Sequence, residues 1–413
     1  MNTARPVLVL KLYYHGGIAA VRTLGRLGVP LYAIHHDARA PAARSRYLRE
    51  ILEWDFDAAS SAESVEFVLD AGRRIGGRPV LLAVEDTAQA FVSEHADALD
   101  EVFVFPRLPA GLTQQLYSKQ GLHELCLEHG VATPSATFPK TRGEAREALE
   151  RAAFPLVLKP IDTVHFRRRT GLAMYIAGNA ADALAAYDRL EDPAAPNLML
   201  QEYIPGPSSS VWVFTGYFDS HSELVFGAGG TKLRQYPIHT GTTCFGDVRS
   251  NPEMEAVTAR FVKALGYCGV FDCGYRYDAS EGRYKLLDVN PRVGLNFRQC
   301  VGRNGLDVVR ALYLDLTGQA VPADVPAEGR VWWVENYDIA AAIEAGLARE
   351  LSPRRWAGSL RRVDEPAWFA RDDLAPFLAM CAGAAGAFRR RLAKWLRTGT
   401  RSGSVVGDAT ETG

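Results

Sequence analysis

The chain has 413 residues, with 47 Lys and Arg against 48 Asp and Glu for a formal net charge of −1. That length suits two or three domains of ~150 residues, and the balanced charge excludes the bulk electrostatic field by which proteins hold nucleic acid. Its 37 Gly and 22 Pro exclude a collagenous or wholly disordered chain, and its 6 scattered Cys, without the close spacing of a zinc or redox motif, predict a reducing cytoplasm.

The apolar stretch Val7 to Leu12 is too short for a signal-peptide core, and no window reaches the ~20 apolar residues of a membrane span. Val7 to Leu10 is followed by Gly16-Gly17 and a helical pattern from Ile18 to Leu27. Val29 to Ile34 and Val80 to Val84 are further strand-like runs, the latter leading into a helix over Thr87 to Glu94. Continuous apolar strands separated by helices predict a parallel sheet covered on both faces. Ligands of such sheets gather at the carboxyl ends of the strands, where His15, His35, His36, Asp37, Glu85 and Asp86 fall. The Gly16-Gly17 turn lacks the full dinucleotide fingerprint and reads as a plain strand-to-helix turn.

Leu112 to Gly130 reads as one helix, stopped by Gly130 and by Pro134 beyond it. Phe154 to Pro160 is a strand carrying Lys159, followed by the basic segment Arg167-Arg168-Arg169 and an Ala-rich helix from Ala180 to Leu190. Leu198 to Ile204 is a strand closed by Pro205-Gly206, and Val211 to Phe218 and Glu223 to Gly227 are antiparallel strands. The cluster Thr231 to Pro237, containing Lys232 and Arg234, reads as a basic hairpin or as a set of phosphate and substrate contacts.

Val270 to Tyr277 and Arg283 to Asn290 form a hairpin about the turn-rich segment Asp278 to Gly282. A turn centred on Ser280 pairs Asp272 with Asp288, and opposed residues have Cβ atoms about 4.5–5.5 Å apart, where like charges repel. Asn290 points to the same face as Asp288. A repulsive carboxylate pair with an added amide oxygen suits a hard cation such as Mg²⁺; a solvated hairpin face is the alternative.

Taken in order, these motifs resemble the ATP-grasp superfamily over roughly residues 5 to 320, in particular its carboxylate–amine ligase and carbamoyl-phosphate-synthase-like branch, with the D-aspartate ligases among its members. The resemblance implies an α/β architecture of α+β lobes: a Rossmann-like domain (1–110), a first ATP-grasp lobe with its connecting helix (111–205) and a second lobe with the metal site (206–322); beyond it the pattern reads as a small appended unit (323–397) and, from its Gly, Ser and Thr, a disordered tail (398–413). It implies ATP contacts from Lys119, Lys159 and Lys232, an adenine-facing hinge at Gln201, Glu202, Tyr203 and Ile204, and Mg²⁺ (or Mn²⁺) ligands at Asp272, Asp288 and Asn290. Arg292, Lys159 and Arg234 are the implied catalytic cations. The implied reaction is ADP-forming ligation of a small-molecule carboxylate to an amine, amino acids among them; an acyl-phosphate-using carboxylase and a non-catalytic ATP-binding sensor are the alternatives. The segment after Lys159 departs from the family by having one glycine where many relatives have a glycine-rich phosphate lid, and Arg167 to Arg169 are the candidate replacement.

The pattern from Leu374 to Arg397 is a helix with Phe388, Leu392, Trp395 and Leu396 on one stripe among Arg and Lys. The expectation is a terminal helix docked by that stripe, with contact to an anionic membrane surface as the alternative. No nucleic-acid partner is expected, and the oligomeric state is not encoded in any pattern recognised in the chain.

Overall fold

The computed structural model describes residues 1–161, 166, 169, 170 and 172–398, with side chains through residue 386. The chain divides into two compact units, the first of residues 1–113, 207–275 and 289–391, the second of 114–206 and 276–288 together with the residues beyond 391. The predicted basic lid residues Arg167 and Arg168, the stripe residues of the terminal helix and the predicted disordered tail beyond Thr398 lie outside the described side chains or residues.

The first unit begins with the predicted parallel sheet. Strands β1 (Val7–Leu10), β2 (Leu31–His35), β3 (Leu48–Glu53) and β4 (Val80–Ala83) lie in the order β3-β2-β1-β4. All four residues of β1 are buried, as a central strand flanked by helices on both faces requires. The covering helices are α1 (His15–Gly25), α2 (Ser61–Ile75) and α3 (Asp86–Glu94), and α2 starts at a Ser60/Glu63 capping box.

The second unit contains α4 (Lys119–Glu128), β5 (Ala136–Thr137), α5 (Arg142–Glu150), β6 (Leu156–Pro160), β7 (Tyr175–Ala177), α6 (Ala180–Leu190) and β8 (Leu198–Glu202), with an antiparallel sheet in the order β5-β8-β6-β7. Leu149, Leu158, Tyr187, Leu190, Leu198 and Leu200 form its core, shared by α5, α6 and the sheet. The single helix predicted from Leu112 to Gly130 is two helices, Leu112–Tyr117 and α4. They break at Ser118, whose hydroxyl accepts from the Gly121 amide at 3.2 Å and so starts α4 afresh. Lys119 therefore occupies the first helical position.

The remaining elements are β9 (Val211–Phe218), β10 (Leu224–Tyr236), β11 (Thr242–Val248), α7 (Pro252–Leu265), β12 (Gly269–Asp278), β13 (Arg283–Asn290), α8 (Val308–Leu316), β14 (Val331–Trp333), α9 (Glu335–Leu347), α10 (Pro353–Ser359), β15 (Glu365–Pro366) and α11 (Ala375–Thr398). Their strands make a seven-stranded sheet in the order β13-β12-β9-β10-β11-β14-β15. The predicted hairpin strands are neighbours in it, and the division between units runs through both: Asp272 and Asn290 belong to the first unit, Asp278 and Asp288 to the second.

One buried cluster of the first unit joins Val7, Val9 and Leu31 of the parallel sheet to Val308 and Leu312 of α8 and to Trp332 of β14. A clamp reinforces that junction. The Arg22 guanidinium on α1 donates to Asp373 Oδ2 at 3.0 Å and to the carbonyls of Ala367 (3.1 Å), Trp368 (2.8 Å) and Asp373 (2.8 Å). Asp373 also accepts from Ser45 Oγ at 2.8 Å and the Arg46 amide at 2.9 Å. Among the described residues no helix is long and apolar enough to cross a membrane.

Candidate functional site

In the second unit, Lys159 stands on β6 opposite Met199 of β8, and Lys119 begins α4, its ammonium 3.4 Å from the Ile161 carbonyl. Burial, and after it the nearby Lys119 charge, hold the Lys159 ammonium down to about 8, with Asp288 acting in the opposite sense. Among the described residues no ion pair involves Lys159. Two ammonium groups that disfavour one another, one of them desolvated, make a place whose electrostatics improve when a polyanion enters. Gln201 is buried on β8 beside Val157 of β6 and Ala136 of β5, Ile204 is buried just beyond the strand, and Asp288 is exposed on β13.

Glu202, expected at the adenine edge, has other partners. Its carboxylate accepts from the Ser135 amide at 3.0 Å and from Lys285 Nζ at 2.7 Å. The same ammonium lies 2.9 Å from Asp278 and 2.6 Å from Glu281. Glu202, Asp278 and Glu281 thus converge as metal-binding carboxylates do, but a buried lysine is their cation. Burial acts to lower the Lys285 pKa; hydrogen bonds to the three carboxylates outweigh it and raise its pKa.

In the first unit, Asp272 of β12 is half-buried and oriented. Thr215 Oγ1 of β9 donates to its Oδ1 at 2.6 Å, and Asn290 Nδ2 donates to its Oδ2 at 3.3 Å. Gly294 lies so close that a Cβ there would fall 2.5 Å from Asp272 Cγ. Arg292 is buried, with Nε donating to Asp86 Oδ1 at 2.7 Å, Nη1 to the Val293 carbonyl at 3.0 Å and Nη2 to Asn290 Oδ1 at 3.4 Å. Asp86 opens α3 at the carboxyl end of β4, so the loop after β13 meets the strand ends of the parallel sheet. A second link joins them: His15 Nε2 lies 2.9 Å from Asn296 Oδ1, and Asn296 Nδ2 donates to Thr242 Oγ1 at 2.9 Å. Burial, which outweighs the Asn296 contact, pushes His15 down to about 4 and leaves its imidazole neutral at pH 7.

The other expected residues have partners of their own. Lys232 reaches the Gly241 carbonyl at 3.4 Å. Arg234 is engaged by Asp338, at 2.6 Å and 2.9 Å through Nε and Nη2, and by Ser359 Oγ at 3.0 Å, while its guanidinium lies 3.9 Å from the Phe245 ring centroid. His35 packs edge-on to Tyr13 at 4.7 Å, His36 stacks on Tyr13 at 5.0 Å, and Glu85 accepts from Thr87 Oγ1 at 2.6 Å. In the basic segment, the Arg169 guanidinium donates to the Leu190 carbonyl.

No family model matches the chain. A D-aspartate ligase from Enterococcus faecium (strain Aus0004) is 23% identical over 245 residues, 56% of this chain and 57% of the relative, so the chain spans little more than half of that relative's length. The biotin carboxylase domain of the Hydrogenobacter thermophilus 2-oxoglutarate carboxylase, solved with MgADP, ADP and bicarbonate, matches with a TM-score of 0.61 at 14% identity over 78% of this chain and 73% of that one. The L-amino acid ligase of Bacillus licheniformis matches with a TM-score of 0.59 at 12% identity over 80% of this chain and 79% of that one. The chain has an ATP-grasp fold.

Within the ATP-grasp frame, the second unit brings together Lys119, Lys159 and the Gln201 strand, and the first unit brings together Asp272, Asn290 and Arg292. Sequence reasoning missed Thr215, Gly294, Asn296 and Lys285. The signal for Gly294 and Asn296 lay in their place on the same short loop as Asn290 and Arg292. Lys285 shares a strand face with Leu287 beside acidic residues, which reads as a solvated face until Glu202 is folded against it.

Proposed function

We propose that this ATP-grasp protein is an ADP-forming carboxylate–amine ligase. The observation that carries the reading is the Lys119 and Lys159 pair, two cations in mutual repulsion on one sheet and helix edge, which a triphosphate would relieve. The D-aspartate ligase and L-amino acid ligase likenesses support amino acids as the substrate class. The reading places the enzyme in the cytoplasm, where ATP, Mg²⁺ and amino acids meet.

Mg²⁺ is assigned to Asp272 and Asn290, with Asp288 a ligand by the resemblance alone. The fit rests on the donor set, carboxylate and amide oxygens of the kind a hard cation takes, and on the way Thr215 and Asn290 fix the Asp272 carboxylate. When bound, the ion would neutralise charge on the transferring phosphate. Lys119, Lys159 and Lys232 are assigned to the phosphates, and Gln201, Glu202, Tyr203 and Ile204 to the base. Lys285 holds the Glu202 carboxylate, so in this reading Glu202 shapes the hinge through its backbone.

The substrate carboxylate oxygen attacks the γ-phosphorus, the bond to the ADP oxygen breaks, and an acyl phosphate forms. The amine lone pair then attacks the acyl carbon, phosphate leaves with the bonding electrons, and the nitrogen gives up a proton. Such chemistry asks the protein for position and charge more than for a nucleophile. Arg292, oriented by Asp86, is assigned to the acyl phosphate. Arg234 is assigned as a positioning residue, since its guanidinium is spent on Asp338 and Ser359.

A phosphate-release screen over pairs of amino acids and small acids, with ATP and Mg²⁺, tests the reading. Release that requires both an acid and an amine, with a product lighter than their sum by one water, is the expected result. Release that needs bicarbonate and no amine, or tight ATP binding with no ADP from any pair, would overturn it.

A further inference from the structure

Helix α9 is amphipathic in the reverse of the usual sense. Its inner face buries Glu335 and Asp338, while Ile339, Ile343 and Leu347, spaced four residues apart, stand outward at 45%, 61% and 82% exposure. Both acids are structural: Glu335 accepts from the Trp368 and Phe369 amides at 3.0 Å and 2.7 Å, and Asp338 accepts from Trp333 and Trp356 Nε1 at 2.9 Å and 2.8 Å as well as from Arg234. The inward acids are thus explained, and the outward aliphatic stripe is not.

The stripe runs into a basic segment. Arg349, Arg354, Arg355, Arg361 and Arg362 are all exposed, and among the described residues none of them enters an ion pair. The acid of this segment, Glu350, lies 3.2 Å from His239. Three of these positions oppose local preference. Arg349 has a φ of 63°, a conformation that disfavours a side chain. Arg354 and Arg355 fill the first turn of α10, where the helix dipole disfavours cations and which holds no acid. Choices that cost stability locally tend to mark function. Ser352 caps α10, and Trp356 fastens it to Asp338 of α9, so the arginines are held beside the end of the aliphatic stripe.

We propose that the α9–α10 face docks on an anionic lipid bilayer. Its aliphatic side chains project singly from a helix, the shape that enters the headgroup and acyl boundary, and its unpaired guanidinium groups lie alongside, where they meet lipid phosphates. The charge is complementary to an anionic leaflet, and the surface is independent of the ligase reading.

The experiment is cosedimentation of the full chain with phosphatidylglycerol-containing vesicles and with pure phosphatidylcholine vesicles. Binding to the first alone, weakened by salt, is expected. R354E/R355E should lower the partition at least about thirtyfold and I343S/L347S about a hundredfold, with thermal unfolding preserved in both. Absence of binding, equal binding to both vesicles, or folded variants that bind as the parent does would overturn the proposal. The last outcome would assign lipid contact to another part of the chain, and capture of an acidic protein with no vesicle binding would also refute it.

Discussion

Substitution of Gly294 by alanine isolates the role of the oriented carboxylate. The added methyl would stand 2.5 Å from Asp272 Cγ and 2.6 Å and 2.7 Å from its two oxygens, against the ~3.5 Å of ordinary contact, so the carboxylate must retreat by about 1 Å. Asp272 is a short side chain and cannot retreat along its length. It must turn away from Thr215 Oγ1, now at 2.6 Å, and from Asn290 Nδ2, at 3.3 Å. Hydrogen bonds to a charged group contribute about 1.5–3 kcal/mol each, so loss of one and weakening of the other costs about 3 kcal/mol locally. A 1 Å misplacement near the chemistry costs about 100-fold in rate. ADP release measured against Mg²⁺ concentration should show kcat/KM lowered about 100-fold and a higher Mg²⁺ requirement, while T215V, which removes one holder without a clash, should lose about tenfold. A folded Gly294→Ala protein with the parent's rate and Mg²⁺ dependence would refute the reasoning.

Because Lys159 titrates at about 8, half of it is neutral at that pH in the free protein. A triphosphate bound there as proposed would restore its charge, so calorimetry in buffers of different ionisation enthalpy should show uptake of about half a proton at pH ~8, smaller in Lys119→Ala, where one source of repulsion is gone; no uptake would count against a phosphate role. Lys285→Met leaves three carboxylates around an empty centre and should destabilise the fold by about 3 kcal/mol in urea, the low end for losing one partner of a buried pair because Glu202 and Glu281 keep some solvent. In the parent, Ser280 first and Lys285 with it hold the Asp278 carboxyl down to about 2, so its stabilisation is complete above pH ~4 and is lost as pH falls toward 2, which acid titration of unfolding will follow. Asp338→Ala strips the acceptor from Arg234 and from two indoles and should cost about 3–5 kcal/mol, with Asp338→Asn intermediate.

The parallel sheet was legible because central strands buried on both faces are written as unbroken apolar runs, as in Val7 to Leu10. Strand β3 was not, since its Leu-Arg-Glu-Ile-Leu-Glu sequence belongs to an edge with charged residues turned to solvent. The thirteen-residue β10 was read as two pieces because Gly227, Gly229 and Gly230 interrupt it. Those glycines serve crowding: a Cβ on Gly230 would lie 2.4 Å from the Asp247 carbonyl and 2.5 Å from Gln299 Nε2. The hairpin strands carrying Asp272 and Asp288 were legible from turn chemistry, which is local. The partners of Arg234 and His15 were not, since Asp338 is 104 residues from the one and Asn296 is 281 from the other, and no periodicity reports such pairings.

The grip of Arg22 on the carbonyls of Ala367, Trp368 and Asp373 has a consequence for anyone shortening this protein. A helix at His15–Gly25 depends on acceptors between Ala367 and Asp373, so ribosomal synthesis must pass Asp373 before α1 can satisfy its guanidinium. Deletion from the carboxyl end would be felt at the opposite terminus, as exposure of the earliest strands to proteases, before it was felt at the ends of the cut.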